Sequence, residues 1–588
     1  MSQPKQHIRI ITLLCAAVIV CLTGCKSGGR TDETIRIRWA HDPETLDPMH
    51  PPNQAAIDAN NLLGLSLLQT DAATQKYAPA LAEALPAVEL VGDSLMRLDY
   101  RIRATATWDD GRPVQARDVA FSLKLMFCPG LPNESIRNQY RFVRAVLTDP
   151  KSARHFTLVC QGQSPEYAHA SGDFFVQSEA VLDPRGTLRR YSLAELQHRP
   201  ATAPADSVLR AVARRYLAAG ATALGTWPGC GPYLLTQWKK GRYLRFQRKP
   251  NWWADRLRPA PFVLRAEPKR LDFAIIPDAA TATLALRGGE VDVYPQMPAR
   301  EFARLRKAPT AQANLRFYTA LSHDVATAGF NTRRPILADA LTRQALSRCF
   351  DAPALLRATQ LGDGQRTVGI ISPFDRANYN DSLPLVPFDL NGAADLLRQA
   401  GWHRTSGPAG GWHRPGARGT RQHLRLRVRY RTSEEMFATI ALQFRAAAAE
   451  LGIPVLLQPT EPGAFSQALQ EGDFDLYVRM LKGNPFVFNF IPILHTLGVG
   501  AGNFTGLSSP RADRLIEAIA AADSPARRAR LLHRFQALMQ QEAPLVPLFF
   551  LPTRVAADRR LTGLHVNSLK PGYTAATIER TTRPSSLP

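Results

Sequence analysis

Apolar and polar residues alternate at Ile35-Arg36-Ile37-Arg38-Trp39 and again from Leu95 through Arg103. That is the period-two pattern of strands with one buried face. The second stretch runs into Trp108-Asp109-Asp110-Gly111-Arg112-Pro113-Val114, a turn by its Asp-Gly and Pro content. A helix follows, with Val119, Phe121, Leu125 and Met126 on its apolar side. Two further strands flank the Lys239-Lys240-Gly241 turn. In the second half, Leu424, Leu426, Val428 and Tyr430 face one way while Arg425, Arg427 and Arg429 face the other. Thr432 with Glu435 three residues on reads as a capping box for a helix bearing Phe437, Ile440, Phe444 and Leu451, closed by Gly452. Strands over 453–457 and 474–481, with a short helix at 465–469 between them, give a strand-helix-strand order that predicts a parallel sheet with helices on its faces. Ser524-Pro525 starts a late helix, where proline's missing N–H costs nothing. Pro544-Leu545-Val546-Pro547-Leu548-Phe549-Phe550 is a buried strand.

The chain opens differently. Lys5 and Arg9 precede an apolar run over 10–22, which ends in Leu22-Thr23-Gly24-Cys25. A basic start, an apolar middle and small residues at the cut describe a secretory signal. The tetrapeptide resembles a bacterial lipobox, so the signal is 1–24, Cys25 carries lipid, and 25–32 is a Ser/Gly tether. The run is too short to span a bilayer, which takes about 20 residues. The protein is therefore expected outside the cytoplasm, held on the periplasmic side or cell surface by the lipid on Cys25.

Composition narrows the partners. There are 73 Lys+Arg against 50 Asp+Glu, a net charge of +23. Nucleic acid is excluded as a partner, because export removes it and the arginines lack the aromatic pattern of a binding module; an anionic lipid surface or acidic ligands fit better. Of seven cysteines, Cys128, Cys160, Cys230 and Cys349 remain in the mature body. Outside the cytoplasm an even set favours disulfides, with three connectivities open. No CxxC spacing, His-Glu-x-x-His or Gly-x-Ser-x-Gly occurs, so neither metal, cofactor nor catalytic nucleophile is expected. His403, His413 and His423 lie in a Gly- and Arg-rich stretch and read as surface histidines. The seven arginines from Gly401 to Tyr430, without Asp or Glu among them, read as a solvated hairpin face.

Several segments in order resemble the family 5 extracellular solute-binding proteins, the peptide- and nickel-binding receptors of ABC importers. They include Thr45-Leu46-Asp47-Pro48, Pro79-Ala80-Leu81-Ala82-Glu83, Trp108 through Ser122, and Gly231-Pro232-Tyr233 with Asn251-Trp252-Trp253. Gly289-Glu290-Val291-Asp292, Phe330-Asn331-Thr332, Gly472-Asp473-Phe474-Asp475 and Ala543-Pro544-Leu545-Val546-Pro547-Leu548 continue the series.

The resemblance implies an α/β, two-lobed periplasmic-binding-protein fold of type II with an extra inserted domain. Lobe I would comprise 33–70, 205–295 and 545–588, the inserted domain 71–204, and lobe II 296–544. It also implies a monomeric, non-enzymatic receptor that encloses a peptide or other small polar ligand and docks on an ABC permease. A same-fold sensory or chaperone-like receptor and an exported hydrolase are the alternatives. Binding residues would come from strand ends facing the cleft: Trp39, His41, Asn331, and Met480, Leu481, Lys482 and Asn484. In the oligopeptide-binding branch an aspartate in a Trp-x-x-Asp-Tyr segment takes the peptide's α-ammonium; here its place is held by Asn484. A neutral amide binds an ammonium more weakly than a carboxylate does, so the ligand is expected to lack a recognised free amino end, and Lys482 would favour an anionic group. The plainer alternative makes Lys482 a solvated side chain and Asn484 a turn residue.

Overall fold

The structure, a computed structural model, describes residues 33–199, 206–220, 224, 227–405, 410–416, 419–432, 434–500 and 502–581. The signal, Cys25 and the whole tether lie outside these residues. No helix among the described residues is long and apolar enough to cross a membrane.

One 11-stranded sheet runs through the molecule. At one end Thr34–Trp39 lies parallel to Arg270–Ile275, followed by the antiparallel pair Tyr243–Arg248 and Tyr233–Lys239 on either side of the Lys239-Lys240-Gly241 turn. At the other, Leu426–Arg431 lies parallel to both Val455–Thr460 and Leu476–Leu481, as the strand-helix-strand order predicts. Two long antiparallel strands, Leu315–Phe330 and Leu545–Asp558, join the halves, and their register slips between Leu321 and Val325. That slip marks the hinge. The Leu545–Asp558 strand extends eight residues beyond Phe550, where the sequence-based strand ends. Pairing with 315–321 carries it on, and Arg554 is buried within it, its guanidinium donating to Gln360.

The apolar residues form separate cores. Ile35, Ile37 and Trp39 share one with Leu98, Phe121 and Leu158, so the inserted four-stranded sheet packs continuously onto the first lobe. Ala326, Val428, Phe444, Trp402 and Trp412 form the core of the second lobe. The helix Ala299–Lys307 packs with Leu286, Met297 and Ala556 on the first-lobe side.

The turn-and-helix motif has a clear physical basis. Asp118, buried in the helix Ala116–Leu125, accepts from the Gln115 N–H at 2.8 Å, the Glu179 N–H at 3.0 Å and the Trp108 indole at 3.3 Å. Trp252 and Trp253 are likewise core residues, both indoles donating to the Cys230 carbonyl at 3.0 Å.

Three expectations need correction. The helix at Glu435–Glu450 is not capped by Thr432: the Thr432 N–H donates to Thr460 O, and its hydroxyl to Glu461 at 2.8 Å. Strand pairing has claimed Thr432 before the helix starts. The four cysteines are unpaired, buried thiols rather than disulfides. Cys349 contacts Ala345 O in the helix just before it and Cys128 contacts Leu209 O, each filling apolar space where it stands. Arg404, Arg421 and Arg425 are exposed as expected, but the arginines of 401–430 are not all left to solvent. Arg414 meets Asp339 at 2.6 Å and stacks on Trp402, Arg427 meets Asp473 at 2.6 Å, and Arg429 also pairs with Asp473. The acids missing from the run come from other segments.

Candidate ligand-binding cavity

A cavity of about 650 Å³ opens where the lobes, the inserted domain and the C-terminal loop meet. That volume falls within the roughly 300–1,000 Å³ typical of small-ligand sites. The hinge contributes Ala320 to His323, the second lobe Phe374, Asp375, Phe486 and Phe488, the inserted domain Gln75 and His169, and the C-terminal loop Asn567 to Leu569. Arg528 enters from the first turn of the helix Pro525–Glu542. A smaller cavity of about 210 Å³ is lined only by residues of the second lobe.

The walls are tied across the cleft. Glu166 of the inserted domain accepts the Phe488 N–H at 3.0 Å, and Tyr77 packs against Phe486 with ring centroids 4.7 Å apart. Ser568 donates to Gln75 at 2.8 Å, and Lys570 pairs with Asp324 at 2.9 Å beside the hinge. A Cβ on Gly483 would come within 2.3 Å of His323 O, so only glycine lets this loop lie against the hinge strand. Burial lowers the pKa of His323, with Asp324 and Asp375 opposing it. Burial also lowers that of His169, helped by the charge of Arg528. The Glu166 carboxyl is raised by burial, against the pull of the Phe488 N–H and Arg528.

None of the seven residues expected from strand ends is among those lining this cavity. Trp39 is 5% exposed and stacks on Phe273 at 4.0 Å in the first-lobe core. Asn331 is also buried, its amide donating to Gly472 O and Phe474 O. Met480 and Leu481 pair with Ala326 and Val325. His41 and Lys482 are exposed at the surface; partial burial first, then Arg38 and Lys482, lowers the His41 pKa, with Glu44 opposing. Asn484 accepts the Phe486 N–H at 2.9 Å, which makes it a turn residue. The same loop reaches the cavity a step later, through Pro485, Phe486 and Phe488. Sequence reasoning missed these and Arg528; the apolar Pro485-Phe486-Val487-Phe488 run was the available signal for the loop.

His403, His413 and His423 stand opposite one another in a three-stranded sheet, with ring centroids 6.3 and 6.4 Å apart. No group of three or more His, Cys, Asp or Glu among the described residues could hold a metal ion.

Two lobes on a shared sheet, two hinge strands and a cavity at their junction define a clasping receptor fold. Residues 76–490 match the model of the bacterial extracellular solute-binding proteins, family 5, and the chain belongs to that family. It is similar to the oligopeptide-binding protein AppA of Bacillus subtilis, 21% identical over 530 residues that cover 89% of this chain and 87% of that one. It is 26% identical over 558 residues to the "Probable di/tripeptide-binding protein 5" of Pseudomonas aeruginosa, covering 91% and 93%. In three dimensions it matches AppA from B. subtilis in complex with a nonapeptide, with a TM-score of 0.70, 18% identity and coverage of 93% and 99%. The periplasmic EDTA-binding protein EppA gives 0.74 at 18% identity, covering 94% and 97%. These likenesses establish the type II binding-protein fold with its inserted domain.

Proposed function

We propose that this protein is a lipid-anchored extracytoplasmic receptor that encloses a peptide or similar small polar ligand and delivers it to the permease of an ABC importer. The observation that carries this reading is the 650 Å³ cavity walled by both lobes and the inserted domain at the hinge. Closure of lobes over a ligand is a population shift, driven only by the ligand's greater affinity for the closed form. The names of similar proteins, which bind oligopeptides and di- or tripeptides, support a peptide-like ligand. The lipobox supports an anchor at Cys25, which would keep the receptor beside its transporter.

Native mass spectrometry of protein purified without denaturation tests the binding role. The expected result is a bound mass in the range of a short peptide, released on denaturation. A chain that carries no ligand and binds no member of a di- to pentapeptide library overturns the reading. Cys25→Ser should move the protein from the membrane fraction to the soluble one; an unchanged distribution rules out the lipid anchor.

A further inference from the structure

We infer that Arg528 and His169 form an oxyanion-binding corner of the cavity, and that the ligand reaches it with a carboxylate. This rests on the cavity being the ligand site. Arg528 lies in the cavity wall with its side chain 19% exposed. Its surroundings leave it short of partners. No hydrogen bond from its guanidinium to the described residues is formed, and Nε is buried without an acceptor. The nearest carboxylate, Glu166, stands 3.9 Å from Nη1 and accepts the Phe488 N–H at 3.0 Å instead.

Arg366, Arg431 and Arg554 also leave Nε buried without a partner, whereas the fully buried Arg343 is satisfied. Arg343 donates to Glu542 O, Leu337 O and Ala338 O at 2.5–2.9 Å. A guanidinium has five N–H donors and is always charged, so leaving it unbonded in a closed site is costly. Water in the open cavity or an acceptor on a ligand can satisfy it.

The corner is shaped for a planar acceptor. The Phe488 ring lies under Arg528, 5.6 Å from Cζ to the centroid. His169 stacks on Tyr77 at 5.1 Å, and its Nδ1 is buried without a partner. Burial and the neighbouring arginine favour the neutral ring, whose Nδ1–H tautomer offers a donor without adding charge. Among the described residues lining the cavity, Asp375 carries the only carboxylate, and it accepts from Asn378 at 2.7 Å. A carboxylate matches the guanidinium fork with two parallel N–H···O bonds, which a neutral carbonyl cannot do. With Asn484 turned to its own loop, this corner rather than an acid for the ammonium would fix the ligand's direction.

Titration calorimetry with trialanine, trialaninamide and Ala-Glu-Ala amide tests the inference in the full mature chain. Wild type should bind trialanine about tenfold or more tightly than its amide, the factor expected of a charge-assisted pair over a neutral one. Recovery with the Glu side chain would show that the corner reads a carboxylate from either source. Arg528→Gln should bind acid and amide alike, while Arg528→Lys should retain part of the preference; melting temperatures check that both variants fold. Equal binding of acid and amide by wild type, or a preference that survives Arg528→Gln, overturns the inference while leaving the peptide reading intact. If no peptide binds, the peptide reading fails. The corner is then judged on the ligand that co-purifies, and a ligand without an anionic group overturns it.

Discussion

The carboxylate of Glu166, in the inserted domain, accepts the backbone N–H of Phe488, in the loop after the Leu476–Leu481 strand, at 3.0 Å. This is one of the ties that hold the second lobe against the rest of the molecule. A hydrogen bond to a charged group is worth about 1.5–3 kcal/mol. Glu166→Ala should therefore reduce the closed population and lower ligand affinity by roughly tenfold or more, at 1.4 kcal/mol per tenfold. Calorimetry gives the affinity and small-angle scattering the opening, as a larger radius of gyration. Unchanged affinity would mean that the tie does not hold the closed form.

Burial pushes the thiols of Cys128, Cys160, Cys230 and Cys349 up to about 12. Thiolate is the reactive form, so the folded protein should take up no iodoacetamide at these positions at pH 8, and all four should alkylate in denaturant without prior reduction. A reducing agent should leave the melting temperature unchanged. A pair that alkylates only after reduction would show a disulfide.

Asn484 has committed its side-chain oxygen to the Phe486 N–H. What remains for an ammonium is the second lone pair of that neutral oxygen, a weaker acceptor than a carboxylate. Tripeptides with free and acetylated amino ends should bind within about threefold of each other, against the tenfold or more that a charge-assisted bond would give. A marked preference for the free amine would sink this expectation.

His155 sits between two carboxylates of the inserted sheet, 2.8 Å from Asp99 and 3.2 Å from Asp149, with Thr157 also bonded to Asp99 and Arg101 nearby. The bond to Asp99 raises its pKa most, with burial opposing and Asp149 adding. The folded chain holds this proton more tightly than the unfolded one. The associated stability is fully present below about pH 6.5 and lost as pH rises through the folded pKa. Hydrogen-exchange protection of Leu95–Arg101, corrected for intrinsic rates, should fall over that window, and His155→Gln should flatten the dependence.

Much of the fold was legible locally. Ile35 to Trp39, Leu95 to Arg103 and Leu424 to Tyr430 announce their strands because a half-buried strand must alternate. Ser524-Pro525 announces its helix because the serine caps it, accepting from the Arg527 N–H. Where a second structure competed, the local signal misled. Thr432 looks like a cap but is held by the neighbouring strand, and the Leu545–Asp558 strand runs past its apolar stretch because its partner does.

The sequence by itself determined the strands and helices named from it and the family resemblance, which implies the inserted domain, since each rests on short-range periodicity or on motifs contiguous in the chain. Only the tertiary structure decided the cavity. Its walls come from Gln75, His169, His323, Phe374, Phe488, Arg528 and Asn567, segments spread along nearly the whole chain. Arg528 looks no different in sequence from Arg527 or Arg530. What separates it is burial beside Phe488 and a distant Glu166 that does not satisfy it, and both follow from the long-range pairing of the hinge strands and the packing of one lobe against the inserted domain.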